Sequence, residues 1–303
     1  MPKRAPPFKR PRGFSLTELA ISLAIIALVL VLFLGASSGF ISSKRGEISQ
    51  TKLKAIETAI ALYVAQNKRL PCPADGAIPA GTANSGVEDR NVGTGDCNGS
   101  QNRGVVPALT LGISEADATD GWNNRITYRV YSGVNGSLTR NNAMDMSGCD
   151  PAGTAAADGV NKLCKITCTT STLSTDCVPP INFLQGKGLE VRDATGANKL
   201  MDPNPPITVP PTPPTGAAYI LISHGENMIG GYSTGGTPLA ANGPAMGTQE
   251  AQNSNGVNWV PGNYFVDAPY NGSDTTNHFD DYVVRPSIMM VVNKAQLGPR
   301  AHY

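Results

Sequence analysis

The sequence is poor in the residue types and motifs on which most enzymes depend. Its 303 residues include three histidines, and aromatic residues make up 6% of the chain. It contains no P-loop, H-E-x-x-H pair or dinucleotide fingerprint. Ser223, His224 and Glu226 lie close together, but adjacent residues on a strand point to opposite faces, so they do not form a triad by themselves. We therefore predict that the protein is not an enzyme.

Charge is scarce and unevenly distributed along the chain. Charged residues make up 16% of the sequence and the formal net charge is +1, so no nucleic-acid partner is predicted. The first 13 residues contain no acid and five basic residues: Lys3, Arg4, Lys9, Arg10 and Arg12. Without these five of the 24 basic residues, 19 remain against 23 acidic residues, a net charge of −4. The sequence therefore combines a cationic leader with an anionic body.

An apolar segment without charge or proline covers residues 19–34. A helix over residues 14–36 would be roughly 34 Å long, which is enough to cross the core of a bilayer. The basic residues that precede it predict a cytoplasmic N-terminus. An ordinary secretory signal, cleaved within residues 35–40, and a plain uncleaved anchor are the alternatives.

Glu18 is an acid at the very start of this apolar segment. A carboxylate inside a membrane costs roughly 2–3 kcal/mol, so it usually has a partner or a role. One explanation is local, because Ser15 and Glu18 fit the S-x-x-E capping box and an acid in the first turn suits the helix dipole. The capping explanation does not exclude a function in assembly.

The sequence GFSLTE at residues 13–18, followed by the apolar segment, resembles the class III signal of type IV prepilins and type II secretion pseudopilins. The resemblance implies that a prepilin peptidase cleaves between Gly13 and Phe14 and that the new Phe14 terminus is N-methylated. Glu18 then becomes the fifth mature residue, whose carboxylate in this family is thought to neutralise the N-terminal amine of a neighbouring subunit. Two buried charges are tolerable only as such a pair.

The resemblance and the sequence pattern together predict an α+β fold. A long N-terminal helix has a membrane half at residues 14–36 and a periplasmic continuation at residues 37–69, and it packs on an antiparallel β-sheet head at residues 70–303. The helix should end before the Leu70-Pro71 step. Its predicted core-facing stripe is Ile48, Leu53, Ile56, Ile60 and Tyr63 or Val64.

The head composition favours turn-rich β structure, because the chain has 33 glycines and 24 prolines. ITYRVY at residues 126–131 and AAYILISHG at residues 217–225 are predicted strands, and residues 279–292 are expected to complete the sheet. Residues 202–216 contain seven prolines and are predicted to form a stiff surface loop.

All six cysteines lie beyond the apolar segment. An even number of cysteines in an exported, loop-rich body indicates disulfide bonds. Nearest-neighbour pairing gives Cys72–Cys97, Cys149–Cys164 and Cys168–Cys177 among many possible connectivities. A four-thiolate zinc site built from the last four cysteines is the alternative, although their spacing lacks the C-x-x-C knuckles usual for zinc.

A calcium site is the remaining candidate for metal binding. Major pseudopilins, which the sequence resembles, bind calcium in a loop near the C-terminus. Oxygen-rich loops suit calcium. In this sequence the corresponding region contains Asp267, Asp274, Asp280 and Asp281, with Asn271 and Asn277 between them.

The sequence therefore predicts a minor pilin or pseudopilin, a structural subunit of a type IV pilus or type II secretion pseudopilus. Its expected partners are a prepilin peptidase and other pilins or pseudopilins in a hetero-oligomeric filament. We expect a single-pass protein of the bacterial inner membrane, with a cytoplasmic N-terminus and a periplasmic head, which then enters the pilus or pseudopilus. A pilin-anchored adhesin or ligand-binding head is the alternative.

Overall fold

The computed structural model describes residues 15–99, 103–131, 137–149, 180–205, 214–239, 249–254, 263–272 and 277–300, without the side chains of residues 30–39, 180 and 182. The chain divides into two compact units, which are residues 1–44 and residues 45–303. Each unit is described below by itself.

Helix α1 (Leu16–Asn67) is the longest element of the chain. No proline interrupts it. It ends at Asn67, two residues before the predicted end at residue 69. Lys68 follows with a positive φ of 55°, and its N–H donates to the carbonyl of Val64 at 2.7 Å. This left-handed residue ends the helix just before the Leu70-Pro71 step, where helical geometry is disfavoured.

The second unit contains the C-terminal part of α1, and this part carries one buried stripe. Leu53, Ile56, Ile60 and Val64 are all at most 2% exposed. The inclusion of Ile48 in the stripe is wrong, because that side chain is 47% exposed and Ser49 is buried in its place. Position 49 precedes Leu53 by one helical turn, and the Ser49 hydroxyl donates to the carbonyl of Arg45 and accepts from the N–H of Gly121.

Short strands form the rest of the head. In chain order they are β1 (Ala74–Asp75), β2 (Gly104–Val105), β3 (Asn124–Arg125), β4 (Thr127–Val130), β5 (Val191–Arg192), β6 (Lys199–Met201), β7 (Tyr219–Ser223), β8 (Tyr232–Ser233), β9 (Phe265–Val266) and β10 (Tyr282–Val284). The main sheet has the order β1-β2-β4-β7-β10 and is antiparallel throughout. A second sheet pairs β3 with β8, and a third has the order β6-β5-β9, in which β5 and β9 are parallel.

The two strands predicted from ITYRVY and AAYILISHG are confirmed as β4 and β7. Every residue of both strands is buried. They are adjacent at the centre of the main sheet, where Tyr128 pairs with Leu221 and Val130 with Tyr219. β7 is a mostly apolar run, whereas in β4 the apolar Tyr128 and Val130 alternate with Thr127 and Arg129. The buried stripe of α1 packs into the same core as both strands.

Four short helices complete the described elements: α2 (Ala108–Leu111), α3 (Pro180–Leu184), α4 (Glu250–Ser254) and α5 (Ile288–Lys294). Residues 279–292 complete the main sheet as expected only through Tyr282–Val284, which pairs with β7, because Ile288–Lys294 forms helix α5. Ser287 caps α5 by accepting the N–H of Met290, which starts a helix in an apolar run that is ambiguous by itself. The fold class is α+β, with an N-terminal helix and mainly antiparallel sheets.

Candidate functional site

The N-terminal signal is described from Ser15 onward, and its first turn is a reciprocal cap. The Ser15 N–H donates to Glu18 Oε2 at 3.0 Å, and the Glu18 N–H donates to Ser15 Oγ at 3.2 Å. Both side chains are exposed. The capping box predicted from the sequence is therefore present. Gly13 and Phe14, the predicted cleavage and methylation residues, lie outside the described residues.

The first unit presents apolar side chains over the helix that follows this cap. The exposed ones are Leu16, Leu19, Ile21, Leu23, Ile25, Ile26, Leu28 and Val29, each more than half exposed. Within the described part of the chain, no helix combines the length and the apolarity that a membrane span requires. The predicted anchor, residues 14–36, includes residues 30–36, whose side chains are outside that part.

The second unit contains a buried group of acids and imidazoles at the end of the main sheet. Glu250 comes from the first turn of α4, whereas His278 and Asp280 lie on the segment that leads into β10. All three side chains are at most 4% exposed. Because uncompensated charge is costly in such a place, these residues must be partnered. We call this set the carboxylate–histidine cluster.

Short distances join the three members of the cluster. His278 Nδ1 lies 3.3 Å from Glu250 Oε2 and 3.9 Å from Asp280 Oδ1. One donor atom from each of the three residues falls within 4.8 Å of the others, which is the spacing of a group able to hold a metal ion. Asn227 Nδ2 donates to Glu250 Oε1 at 2.6 Å and also lies 3.3 Å from His278 Nδ1.

The two oxygens of Asp280 have different surroundings. Oδ2 accepts the backbone N–H groups of Glu226 at 2.6 Å and of Asn227 at 2.8 Å. Oδ1 is buried and has no hydrogen-bond partner among the described residues. Burial, followed by interaction with the Glu250 carboxylate, raises the pKa of Asp280 to about 7, although the backbone N–H of Asn227 acts in the opposite direction.

The turn after β7 places the N–H groups of Glu226 and Asn227 within hydrogen-bond distance of Asp280. Gly225 has a φ of +56°, and a Cβ at this position would lie 2.6 Å from Asp280 Cγ. Only glycine combines that backbone conformation with so close an approach. The SHGEN sequence at residues 223–227 is thereby explained as the turn that holds the Asp280 carboxylate.

A second buried network lies beside the cluster. His224 Nε2 is 2.9 Å from Thr127 Oγ1, and His224 Nδ1 is 3.3 Å from Asp281 Oδ1 without forming a hydrogen bond. Asp281 Oδ2 accepts from Asn253 Nδ2 at 2.9 Å, and Asn253 also binds the backbone of Val266. This network ties α4 and β9 to the end of the main sheet.

The residues predicted for calcium do not share one set of partners. Asp267 Oδ2 accepts from Arg285 at 2.7 Å, Asp280 belongs to the cluster, and Asp281 binds Asn253. Asp274 lies outside the described residues. Calcium binding stays a prediction. Sequence reasoning missed Glu250 and His278, because Glu250 is 28 residues from His278 and no motif links them.

The disulfide between Cys72 and Cys97 is present, as predicted, and closes a loop with a sequence separation of 25. Cys149 is also disulfide-bonded. Its predicted partner Cys164 and the predicted pair Cys168–Cys177 lie outside the described residues, and the four-thiolate zinc alternative falls on the same region.

Comparison with known protein families identifies a motif in the N-terminal part of the chain. Residues 8–34 match the family described as the prokaryotic N-terminal methylation motif. No curated protein matches the chain, and no solved structure matches it. The match shows that the chain carries a prepilin-type signal, which supports a type IV pilin-like or pseudopilin-type protein. The motif implies processing by a prepilin peptidase and assembly with other pilins.

Proposed function

We propose that the protein is a minor pilin or pseudopilin, a structural subunit of a type IV pilus or a type II secretion pseudopilus. The observation that carries this proposal is the methylation motif at residues 8–34. It overlaps a capped helix start and an apolar helix with exposed side chains. An exposed apolar helix requires a nonaqueous or protein environment, and a bilayer and a filament core each provide one.

In this proposal the precursor waits in the inner membrane as a single-pass protein. The five basic residues before the apolar segment keep the N-terminus in the cytoplasm, and the head lies in the periplasm. Prepilin peptidase removes residues 1–13 and the Phe14 amine is methylated. The head folds in an oxidising compartment, and the Cys72–Cys97 bond agrees with that location.

Assembly then places the apolar helices of many subunits side by side. The Glu18 carboxylate neutralises the N-terminal amine of a neighbouring subunit, because both charges are otherwise left in an apolar filament core. The large head, residues 70–303, favours a minor subunit, since steric crowding limits repetition of a bulky head along a filament.

The experiment that tests the subunit role is fractionation of sheared surface filaments from cells that express the chain with an epitope in the head. We expect the chain in the filament fraction at low stoichiometry, and its loss from that fraction in cells without prepilin peptidase. A chain that stays entirely in the membrane fraction of assembly-competent cells would contradict the role. If an antibody to the epitope labelled the whole length of the filament, the chain would instead be a major subunit.

A ligand-binding head is the second candidate function. A cleft of about 580 Å³ lies among Thr195, Tyr270, Asn271 and His278, and this volume falls in the range of small-molecule sites. Adhesion by filaments that carry the chain, compared with filaments that carry a Tyr270→Ala variant, tests it. Equal adhesion at equal incorporation would remove this candidate.

A further inference from the structure

We propose that Glu250, His278 and Asp280 form a binding site for a divalent transition-metal ion of the zinc type. The proposal goes beyond the subunit role and does not depend on it. Two independent features point to a ligand: three metal-ligating side chains converge, and a buried oxygen among them has no donor.

The distances within the cluster suit a tetrahedral ion. Zinc binds imidazole nitrogen and carboxylate oxygen at about 2.0–2.2 Å, so two ligands of a tetrahedral site are separated by about 3.4 Å. His278 Nδ1 is 3.3 Å from Glu250 Oε2 and 3.9 Å from Asp280 Oδ1. A closure of about half an ångström between His278 Nδ1 and Asp280 Oδ1 would bring that pair to this separation as well.

The protonation pattern of the cluster also suits a cation. One proton of the Asn227 amide is donated to Glu250 Oε1, and the other faces His278 Nδ1. His278 Nδ1 lies 3.3 Å from both Asn227 Nδ2 and Glu250 Oε2. In the tautomer in which Nδ1 is unprotonated, its lone pair can bind a metal ion in place of the Asn227 N–H. Glu250 Oε2, His278 Nδ1 and Asp280 Oδ1 then all face one another as acceptors, and a cation supplies the attraction that three acceptors lack.

The surroundings hold the donor atoms in place. Asp280 Oδ2 is fixed by two backbone N–H groups of the turn after β7, which leaves Oδ1 for the ion. Glu250 is fixed through its other oxygen by Asn227. Such outer hydrogen bonds orient the ligands of metal sites and restrict each carboxylate to one ligating oxygen. The arrangement therefore has an inner set of three ligands and a supporting set behind it.

An ion can reach the cluster from solvent-filled clefts. His278 lines the cleft of about 580 Å³, together with Gln249 and Tyr270. Asp280 lines a neighbouring cleft of about 440 Å³, which Tyr270 also borders. Each cleft therefore borders one residue of the cluster, and water from either cleft could supply the fourth ligand of a tetrahedral site.

The competing explanation is a proton shared between Glu250 and Asp280, as in other carboxylate pairs held close together in a buried site. The two explanations differ in what occupies the space between the acceptors. If a proton is shared, neither zinc nor a chelator should change the melting temperature of the protein. If the cluster is a metal site, zinc should raise the melting temperature and a chelator should lower it again.

The experiment uses the full chain in detergent, purified without a polyhistidine tag, under oxidising conditions and stripped with a chelator. Zinc chloride is titrated by calorimetry and the melting temperature is followed. We expect one zinc ion per chain, and a rise in melting temperature of about 5 °C or more when zinc is about 100-fold above its dissociation constant. Cobalt(II) in place of zinc should give the visible absorption of a tetrahedral nitrogen–oxygen site.

The variants Glu250→Gln and Asp280→Asn each remove one ligand at nearly constant volume and should lower zinc affinity by 10-fold or more. Asp193→Asn, which neutralises a partly exposed carboxylate of the same unit outside the cluster, should bind zinc as the parent does. The proposal is overturned if the parent chain binds no stoichiometric zinc, if binding persists unchanged in both cluster variants, or if calcium binds there in preference to zinc. The parent titration and the cobalt spectrum decide the matter even where a variant does not fold.

Discussion

Ser15 and Glu18 satisfy each other's backbone N–H groups at the first turn of α1. The residue that the prepilin-type signal assigns to filament assembly is therefore also a helix cap. The two roles make different demands on the side chain. A cap needs a hydrogen-bond acceptor at position 18, which glutamine also provides, whereas pairing with an amine needs the negative charge.

Substitution of Glu18 separates these roles. We expect Glu18→Gln to retain the cap and the cleavage after Gly13, but to enter filaments as poorly as Glu18→Ala does. The physical reason is that both variants leave a neighbour's amine without its counter-charge. The measurement compares, for each variant, the processed fraction in membranes with the amount in sheared filaments.

A different result would assign position 18 to capping. If Glu18→Gln were incorporated like the parent while Glu18→Ala were not, the acceptor alone would matter and the charge-pairing role would be wrong. Ser15→Ala is the matched control, because it removes one hydrogen bond of the cap, about 1 kcal/mol of helix stability, and keeps the charge.

The ion pair between Arg69 and Glu88 predicts a pH dependence of stability. Glu88 accepts two hydrogen bonds from the Arg69 guanidinium, at 2.6 and 2.9 Å, and one from the N–H of Cys72. Burial alone would raise the pKa of Glu88, but these hydrogen bonds outweigh it and lower that pKa below 4.5. The pair therefore stabilises the fold above pH 4.5, and this contribution is lost as the pH falls through the lower pKa of the folded state.

We expect Glu88→Gln to lower the free energy of unfolding by about 1–2 kcal/mol at neutral pH, a figure reduced for solvent screening of a half-buried carboxylate. The difference from the parent should shrink below pH 4.5. Denaturant unfolding at several pH values measures it. Glu57→Gln, which neutralises a partly exposed glutamate of α1, is the control. A deficit that stays constant down to pH 2.5 would show that the charge of Glu88 has no part in it.

Removal of the Cys72–Cys97 disulfide should destabilise the head. The bond restricts an unfolded loop with a sequence separation of 25, which corresponds to about 3–4 kcal/mol in the chain-entropy account. The double variant Cys72→Ser, Cys97→Ser leaves the other four cysteines in place. Its melting temperature, compared with that of the parent, should fall by about 5 °C or more. An unchanged melting temperature would contradict the stabilising role.

Gly225 should not tolerate a side chain. Its φ is +56° and a Cβ would lie 2.6 Å from Asp280 Cγ, so Gly225→Ala should cost about 2 kcal/mol or more. Gly235 has no positive φ, and a Cβ there would meet only Ser233 Oγ at 3.6 Å. Gly235→Ala should therefore unfold within about 0.5 kcal/mol of the parent. Equal losses in the two variants would refute the steric argument.

Short sequence patterns correctly predict the helix cap, the two central strands and one disulfide. The capping box at Ser15 follows from four consecutive residues, and β4 and β7 follow from runs rich in β-branched and aromatic residues. The Cys72–Cys97 bond joins nearest neighbours in sequence. Each of these features depends on spacing that is visible in a short window.

Features that depend on tertiary contacts are missed. Ser49 rather than Ile48 faces the core, because Ser49 meets the backbone of Gly121, which is 72 residues away. The segment Ile288–Lys294 looks like a strand by composition and becomes a helix because Ser287 caps it. The carboxylate–histidine cluster joins α4 to the segment before β10. The residue pattern of neither segment predicts that contact.

The prepilin-type signal is tested most directly by mass spectrometry of the N-terminus of the chain purified from the membranes of its native cells. The account predicts a mature chain that begins at Phe14 with a methylated amine, and an unprocessed chain in cells that lack prepilin peptidase. A chain that begins at Met1 in both kinds of cell, or one cleaved within residues 35–40, would contradict the assignment to the pilin-like class.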